Sequence, residues 1–230
     1  MTEECQVKEN DRQFLKLRLR ERTVGVDIDT TGTRSVFTNC TFADVRLSNV
    51  EICSPIFDRC TFRDCRTDYL FSNGSVFVEC VCQGTLGGGF ILLDADEAVW
   101  GVARPKESFL AVARENERLM RSARFSLDLR AVTDAGETSF NGDLLAGKMV
   151  FNPGEMALIR GSNMMTKLEP FEELCGKDEV AGLLVGGAGG CSFETCAVWL
   201  RPPYRKLRSE IEAAVTSVGL EVTFEPLVKP

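Results

Sequence analysis

Phe37-Thr38-Asn39-Cys40-Thr41-Phe42 is answered twenty residues later by Phe57-Asp58-Arg59-Cys60-Thr61-Phe62, and again by Phe77-Val78-Glu79-Cys80-Val81-Cys82. Val36, Ile56 and Val76 precede the three copies in the same register. A beat of five runs inside each twenty. Large apolar residues fall at Phe37, Phe42, Leu47, Ile52, Phe57 and Phe62, lapse at Thr67 and Ser72, and return at Phe77. Smaller ones sit two places earlier, at Ser35, Cys40, Val45, Val50, Pro55, Cys60 and Cys65. This pattern predicts a short β-helix over residues 35–82 with four five-residue sides per turn. Side chains twenty apart would then stack about 4.8 Å from one another. Cys40/Cys60/Cys80 and Phe37/Phe57/Phe77 are expected as internal ladders, while Asp44, Arg46, Asp58, Arg59, Arg63 and Asp64 face outward as a possible interaction surface.

On either side the periodicity changes. Phe14 to Arg20 alternates apolar and charged residues, as does Val24 to Asp29, and both predict strands that cap the first turn. A solenoid end needs such cover, because open strand edges recruit other chains. Ser72-Asn73-Gly74-Ser75 reads as a loop leaving one corner, and Gly87-Gly88-Gly89 as the end of the element. From Phe90 onward strands are expected at 90–93, 98–102, 126–132, 149–151, 156–159, 180–185, 192–200 and 221–224. Helices are expected at about 106–124 and 204–218, and residues 161–178 read as irregular or weakly helical. Gly186 to Gly190 reads as a hairpin turn. The expected class is α+β: a capped right-handed β-helix over 1–89, followed by an α+β domain over 90–230.

Composition narrows the chemistry. The 230 residues carry a net charge of −7 and no histidine. Without histidine the commonest general base, Ser-His-Asp and Cys-His nucleophiles and histidine-ligated zinc are all ruled out. Residues 1–90 hold 11 Lys+Arg against 13 Asp+Glu, so no basic tract exists to grip phosphates and nucleic-acid binding is disfavoured. No apolar run reaches the roughly 18–20 residues of a membrane span. The acidic start Met1-Thr2-Glu3-Glu4-Cys5 lacks the features of a secretion signal, so a cytoplasmic protein with reduced thiols is expected. Cys191 and Cys196, five apart with Cys175 nearby, miss zinc spacing and read as buried structural thiols. Gly187-Ala188-Gly189 has Ser192 where a dinucleotide fingerprint needs its third glycine. Asp94 and Asp96 form an ordinary acidic loop pair. No catalytic, cofactor-binding or metal-ligating set emerges.

The five-residue beat resembles the pentapeptide-repeat family, whose members wind into a right-handed, four-sided β-helix. The likeness spans about 48 residues and rests on the centre positions Phe37, Phe42, Leu47, Ile52, Phe57 and Phe62. Some members of that family imitate DNA with acidic surfaces; residues 1–90, with a net charge near zero, do not match that. Ser35-Val36-Phe37, Asn39-Cys40 and Arg63-Asp64-Cys65-Arg66 are similar to cysteine-rich β-helices of the tubulin-cofactor-C-like family, in which an arginine finger stimulates GTP hydrolysis; Arg63 matches it most nearly, without the family's glutamine-rich approach. Val24-Gly25-Val26-Asp27-Ile28-Asp29-Thr30-Thr31-Gly32-Thr33 resembles the first phosphate motif of actin- and hexokinase-like ATPases, departing from it at Asp29, where a glycine usually stands.

Together these readings favour a non-enzymatic interaction or assembly module that binds another protein or itself, with no cofactor, nucleic acid or membrane. The alternative is a nucleotide-handling protein using the Asp27–Thr33 loop or Arg63.

Overall fold

The structure, a computed structural model, describes residues 8–10, 13–15, 18–25, 34–95, 106–188 and 193–229. Its N-terminal part is built from parallel strands that pair about twenty residues apart from Val36 onward (Val36 with Ile56), while the first three strands pair 28 residues ahead (Lys8 with Val36). β1 (Lys8–Asn10), β4 (Val36–Thr38), β7 (Ile56–Asp58) and β10 (Val76–Val78) form one sheet. β2 (Gln13–Leu15), β5 (Thr41–Ala43), β8 (Thr61–Arg63), β11 (Cys80–Thr85) and β13 (Leu127–Asp134) form a second. The third contains β3 (Arg18–Gly25), β6 (Arg46–Cys53), β9 (Arg66–Asn73) and β12 (Gly88–Leu93). Phe37 pairs with Phe57 and Phe57 with Phe77 in the first sheet, and Phe42 with Phe62 in the second, as the repeat predicts. Successive layers of three parallel strands are compatible with a β-helix-like repeat.

The corners between strands are left-handed residues. Asn39, Asp44, Ser54, Arg59, Asp64 and Glu79 all have φ between 50° and 54°, with Gly74 and Gly84 at 73° and 69°. Asn, Asp and Gly suit that conformation; Arg59 and Glu79 hold it at some cost because the layers above and below fix the backbone. Two positions of the five-residue beat break the rule. Asn49 and Tyr69 lie inside the continuous eight-residue strands β6 and β9. Each layer therefore has three strands rather than the four sides expected, two sides having fused into one long strand. The expected loop at Ser72-Asn73 is the end of β9, and Gly74 is its corner.

Inside the layers the phenylalanines stack. Phe57 lies between Phe37 and Phe77 with ring centroids 5.2 Å away on each side, and Phe42 stacks on Phe62 at 5.1 Å. The two columns meet edge to face, Phe57 against Phe62 at 5.3 Å, the arrangement ring quadrupoles favour. Cys40, Cys60, Cys65, Cys80 and Cys82 are buried beside them.

The first sheet has apolar residues on its outer side as well. Val36, Ile56 and Val76 pack against Leu119 and Met120 of α1 (Lys106–Ser122) and Ala123 just beyond it. α1 also carries a buried polar residue, Asn116, and the carbonyls of Met120 and Ala123 at its end accept from Lys148 Nζ.

The glycine cluster does not end the layered region. β12 starts at Gly88, pairs with β9, and is paired on its far side with β14 (Ser139–Asn141). From β14 the sheet continues antiparallel through β16 (Thr195–Trp199), β15 (Met156–Arg160) and β17 (Glu221–Thr223), so eight strands from β3 to β17 form one sheet. The division expected at residue 89/90 thus falls inside a hydrogen-bonded strand. Leu145, Ala146, Met149 and Phe151 join Phe77, Leu127, Leu129 and Phe140 in the cluster that fills the layers. The opposite side of the eight-stranded sheet carries Ala157, Ile159, Cys196 and Val198, covered by Met164 and Leu168 of α2 (Met164–Leu168), Leu184 of α3 (Glu179–Ala188) and Ile211 and Val215 of α4 (Arg208–Ser217). Mixed helices and sheets agree with the α+β class.

Two expectations in this half are corrected. Val180–Val185 is the body of α3, not a strand, and Gly186 continues that helix rather than opening a hairpin. Met149-Val150-Phe151 contributes a single bridge, Val150 to Asp128, rather than a strand. The strand expected at 98–102 and the segment 26–33 lie outside the described residues.

Candidate interaction surface

The six outward residues singled out from the repeat gather around one side. Asp58 ends β7 and Arg59 is the next corner; Arg63 ends β8; Asp44 and Asp64 are successive residues of the following corner column; Arg46 begins β6. They border the outer side of the second sheet, where Thr41, Thr61, Val81 and Gln83 are half-buried and Arg63 is exposed. α1 lies along the first sheet, and α2, α3 and α4 cover the third where it runs through β16 and β15. Among the described residues no helix shares an apolar cluster with Thr41, Thr61, Val81 or Gln83.

The charges along its border are organised by the layer register. Arg59 forms a paired contact with Asp58, Nη2 to Oδ2 at 2.7 Å and Nε to Oδ1 at 3.0 Å. One layer on, Glu79 accepts from the backbone N–H, Nε and Nη2 of Arg124 at 3.1–3.2 Å, and the hydrogen bonds from Arg124 hold its carboxyl below the usual range. At the other corner column Asp64 Oδ1 accepts from Thr85 N at 3.2 Å. A Cβ on Gly84 would lie 2.2 Å from that oxygen, so the close approach requires glycine there. These pairs fix the side chains in place, although exposed pairs of this kind add little to stability.

Of the two elements of the nucleotide alternative, Arg63 is exposed at the end of β8. Asp27–Thr33 lies outside the described residues. Arg34, which follows it, is buried, and its guanidinium is occupied: Nε donates to Ser54 O, Nη2 to Gly74 O at 2.9 Å, and Nη1 to Asn116 Oδ1 at 2.6 Å. Positions 34, 54 and 74 are the same place in successive layers, so Arg34 runs up one corner and satisfies its carbonyls. Burial lowers its pKa to about 10, against the raising influence of Glu115.

The acidic pair at 94/96 conceals a residue the sequence gives no reason to expect. Asp94 is buried, and its Oδ2 accepts from Leu144 N at 2.8 Å. Burial pushes its carboxyl up to about 7, with Asp143 adding to the rise and the N–H groups of Leu144 and Leu145 opposing it. Gly142 takes φ +122° against it; a Cβ there would meet the carboxylate at 2.2 Å. Thr195 Oγ1 donates to Asp143, and Asn141 Oδ1 is buried without a hydrogen-bond partner. Asp94 thereby ties the turn after β14 to the end of β12. Fifty residues separate it from that turn, so no local pattern announces the contact.

Of the thiols read as structural, Cys196 is buried but Cys175 is exposed. Cys191 lies outside the described residues. No group of three or more His, Cys, Asp or Glu among the described residues is arranged to hold a metal ion. No described helix is long and apolar enough to cross a membrane. No family model, curated protein or solved structure matches this chain.

Proposed function

We propose that the chain is a non-enzymatic interaction or assembly module, in which residues 34–93 form a short pentapeptide-like β-helix whose second sheet offers its outer side to another protein or to a second copy. The observation that supports this reading is the unequal covering of the three sheets. Helices pack on the first and on the β15–β16 part of the third, while the second presents Thr41, Thr61, Val81, Gln83 and Arg63, bordered by Asp44, Arg46, Asp58, Arg59 and Asp64. A flat strand surface with fixed mixed charges at its edges suits a specific, non-obligate contact, because rim charges set orientation and association rate more than affinity.

Cross-linking of the native protein in cell extract, mapped by mass spectrometry, tests the assignment together with light scattering of the purified chain. Cross-links or dimer contacts are expected on β5, β8 and β11, and are expected to weaken at least tenfold in the variant Arg59→Glu/Arg63→Glu. Contacts confined to α2, α3 and α4 would overturn the assignment of the face. Titration of ATP and GTP with magnesium examines the rival: a melting shift of several degrees that disappears in Asp27→Ala would overturn the non-enzymatic reading.

A further inference from the structure

Cys40, Cys60 and Cys80 occupy one column, twenty residues apart, and each follows a left-handed corner, at Asn39, Arg59 and Glu79. Cys60 Sγ donates to Phe37 O and Cys80 Sγ to Phe57 O, both at 3.3 Å, so the two thiols adopt the same pose in neighbouring layers. The flanking Thr61 and Val81 are register partners, and Val81 N donates to Cys60 O at 2.9 Å. In such parallel neighbours the Cα atoms lie about 4.8 Å apart, inside the roughly 4.4–6.8 Å range a disulfide spans. The side chains of Cys60 and Cys80 also interact directly, whereas Cys40 reaches Cys60 through its backbone. Cys65 has no such neighbour: its column continues at Thr85, and Cys82 pairs with Phe62.

We propose that Cys60 and Cys80 are a latent, reversible disulfide that ties two successive layers together. The partner is a small-molecule disulfide of the glutathione type. The thiolate of one attacks it, forming a mixed disulfide and releasing one small thiol; the thiolate of the other then attacks the protein sulfur of that mixed disulfide, forming the S–S bond and releasing the second. Two protein thiols lose two protons and two electrons, and the small disulfide is reduced to two thiols. Burial raises the Cys80 thiol well above its ordinary value, so a thiolate forms as the layers open. Both sulfurs are fully buried, so exchange proceeds through local opening of the layers and is slow beside that of the exposed Cys175.

The full chain is incubated under native conditions with reduced and oxidised glutathione in graded ratios, quenched by acid, alkylated and mapped by mass spectrometry. A linkage joining the peptides that contain Cys60 and Cys80 is expected, with a loss of two mass units, a melting temperature several degrees higher, and full reversal by dithiothreitol. Cys40→Ser is expected to retain the linkage; Cys60→Ala and Cys80→Ala are expected to abolish it and the melting shift. Modification of Cys175 verifies that the oxidant acts. If Cys175 reacts while Cys60 and Cys80 remain free thiols at the most oxidising ratio, the proposal is wrong. A Cys40–Cys60 linkage, or a Cys60–Cys80 linkage that leaves the melting temperature unchanged, also overturns it. The wild-type map decides the matter even if the alanine variants fail to fold.

Discussion

Arg34 Nη1 donates to Asn116 Oδ1 at 2.6 Å, joining the first corner of the repeat to a helix 82 residues further along the chain. Asn116 Nδ2 in turn donates to Gly74 O at 3.0 Å, a carbonyl that Arg34 Nη2 also reaches. The three groups form a closed set in which removing one side chain takes a hydrogen-bond partner from each of the other two. Arg34→Ala is expected to cost more than about 3 kcal/mol, and Asn116→Ala about 2 kcal/mol. Urea denaturation of both single variants and the double variant measures the coupling, expected at about 1–3 kcal/mol. Additivity of the two losses would show that the contact contributes nothing of its own.

Phe57 is the middle ring of its column, so its loss removes two stacking contacts and opens a cavity. Phe57→Ala is expected to lower stability by about 3–5 kcal/mol in chemical denaturation. Phe57→Asp, which buries a charge in the same place, is expected to abolish cooperative unfolding. A near-normal melt for the aspartate variant would place Phe57 outside the core.

Ile56 tests the other side of the same strand. In a repeat whose outer face met water, Ile56→Asp would be nearly neutral. Since Ile56 packs under Met120 and Ala123, the substitution is expected to cost about 2–4 kcal/mol and to release α1. Hydrogen exchange is the measurement: protection of residues 106–122 should fall while the phenylalanine columns stay protected. Unchanged protection of α1 would refute the docking.

Asp94 makes stability depend on pH in an unusual direction for a carboxyl group. Its folded pKa, about 7, lies above the ordinary value of 3.8. Between these values the folded chain holds a proton that the unfolded chain has lost, so this residue's contribution falls as pH rises from about 4 to about 7, then levels off. The full change is at most about 4 kcal/mol. Denaturation of wild type and Asp94→Asn at several pH values should show the asparagine variant gaining relative stability across that window. A difference that stays constant with pH would mean Asp94 titrates normally.

The inward half of the repeat is legible because identical side chains stacking at a fixed step leave a strict period in the sequence. Phe37/Phe57/Phe77 and the buried cysteines follow from it directly. The corners are not, since Arg59 and Glu79 adopt a conformation their side chains do not favour and only the stacked backbone imposes. The outward column Val36/Ile56/Val76 is visible as a pattern, yet its partner α1 lies far along the chain. Val180–Val185 misleads because a short apolar run fits a strand and a buried helix equally; Ala181 and Leu184, three apart, are both buried, and Leu184 packs on the sheet, which settles the helix only once that sheet exists. The six charged residues bordering the second sheet were recognisable individually as outward; their gathering on one side needed the strand order.

The eight-stranded sheet joining β3 to β17 also bears on how the protein is made. During synthesis the parallel layers emerge ahead of β14, the first closing over 28 residues (Lys8 to Val36) and the next over twenty (Val36 to Ile56), short separations that favour early pairing. β12 then waits for β14, with α1 and β13 intervening, and until residue 141 is translated its far edge has no partner. The nascent chain is most exposed to pairing with other chains in that interval. A ribosome pausing between residues 93 and 139 would lengthen it, and termination there would release a chain with a raw strand edge.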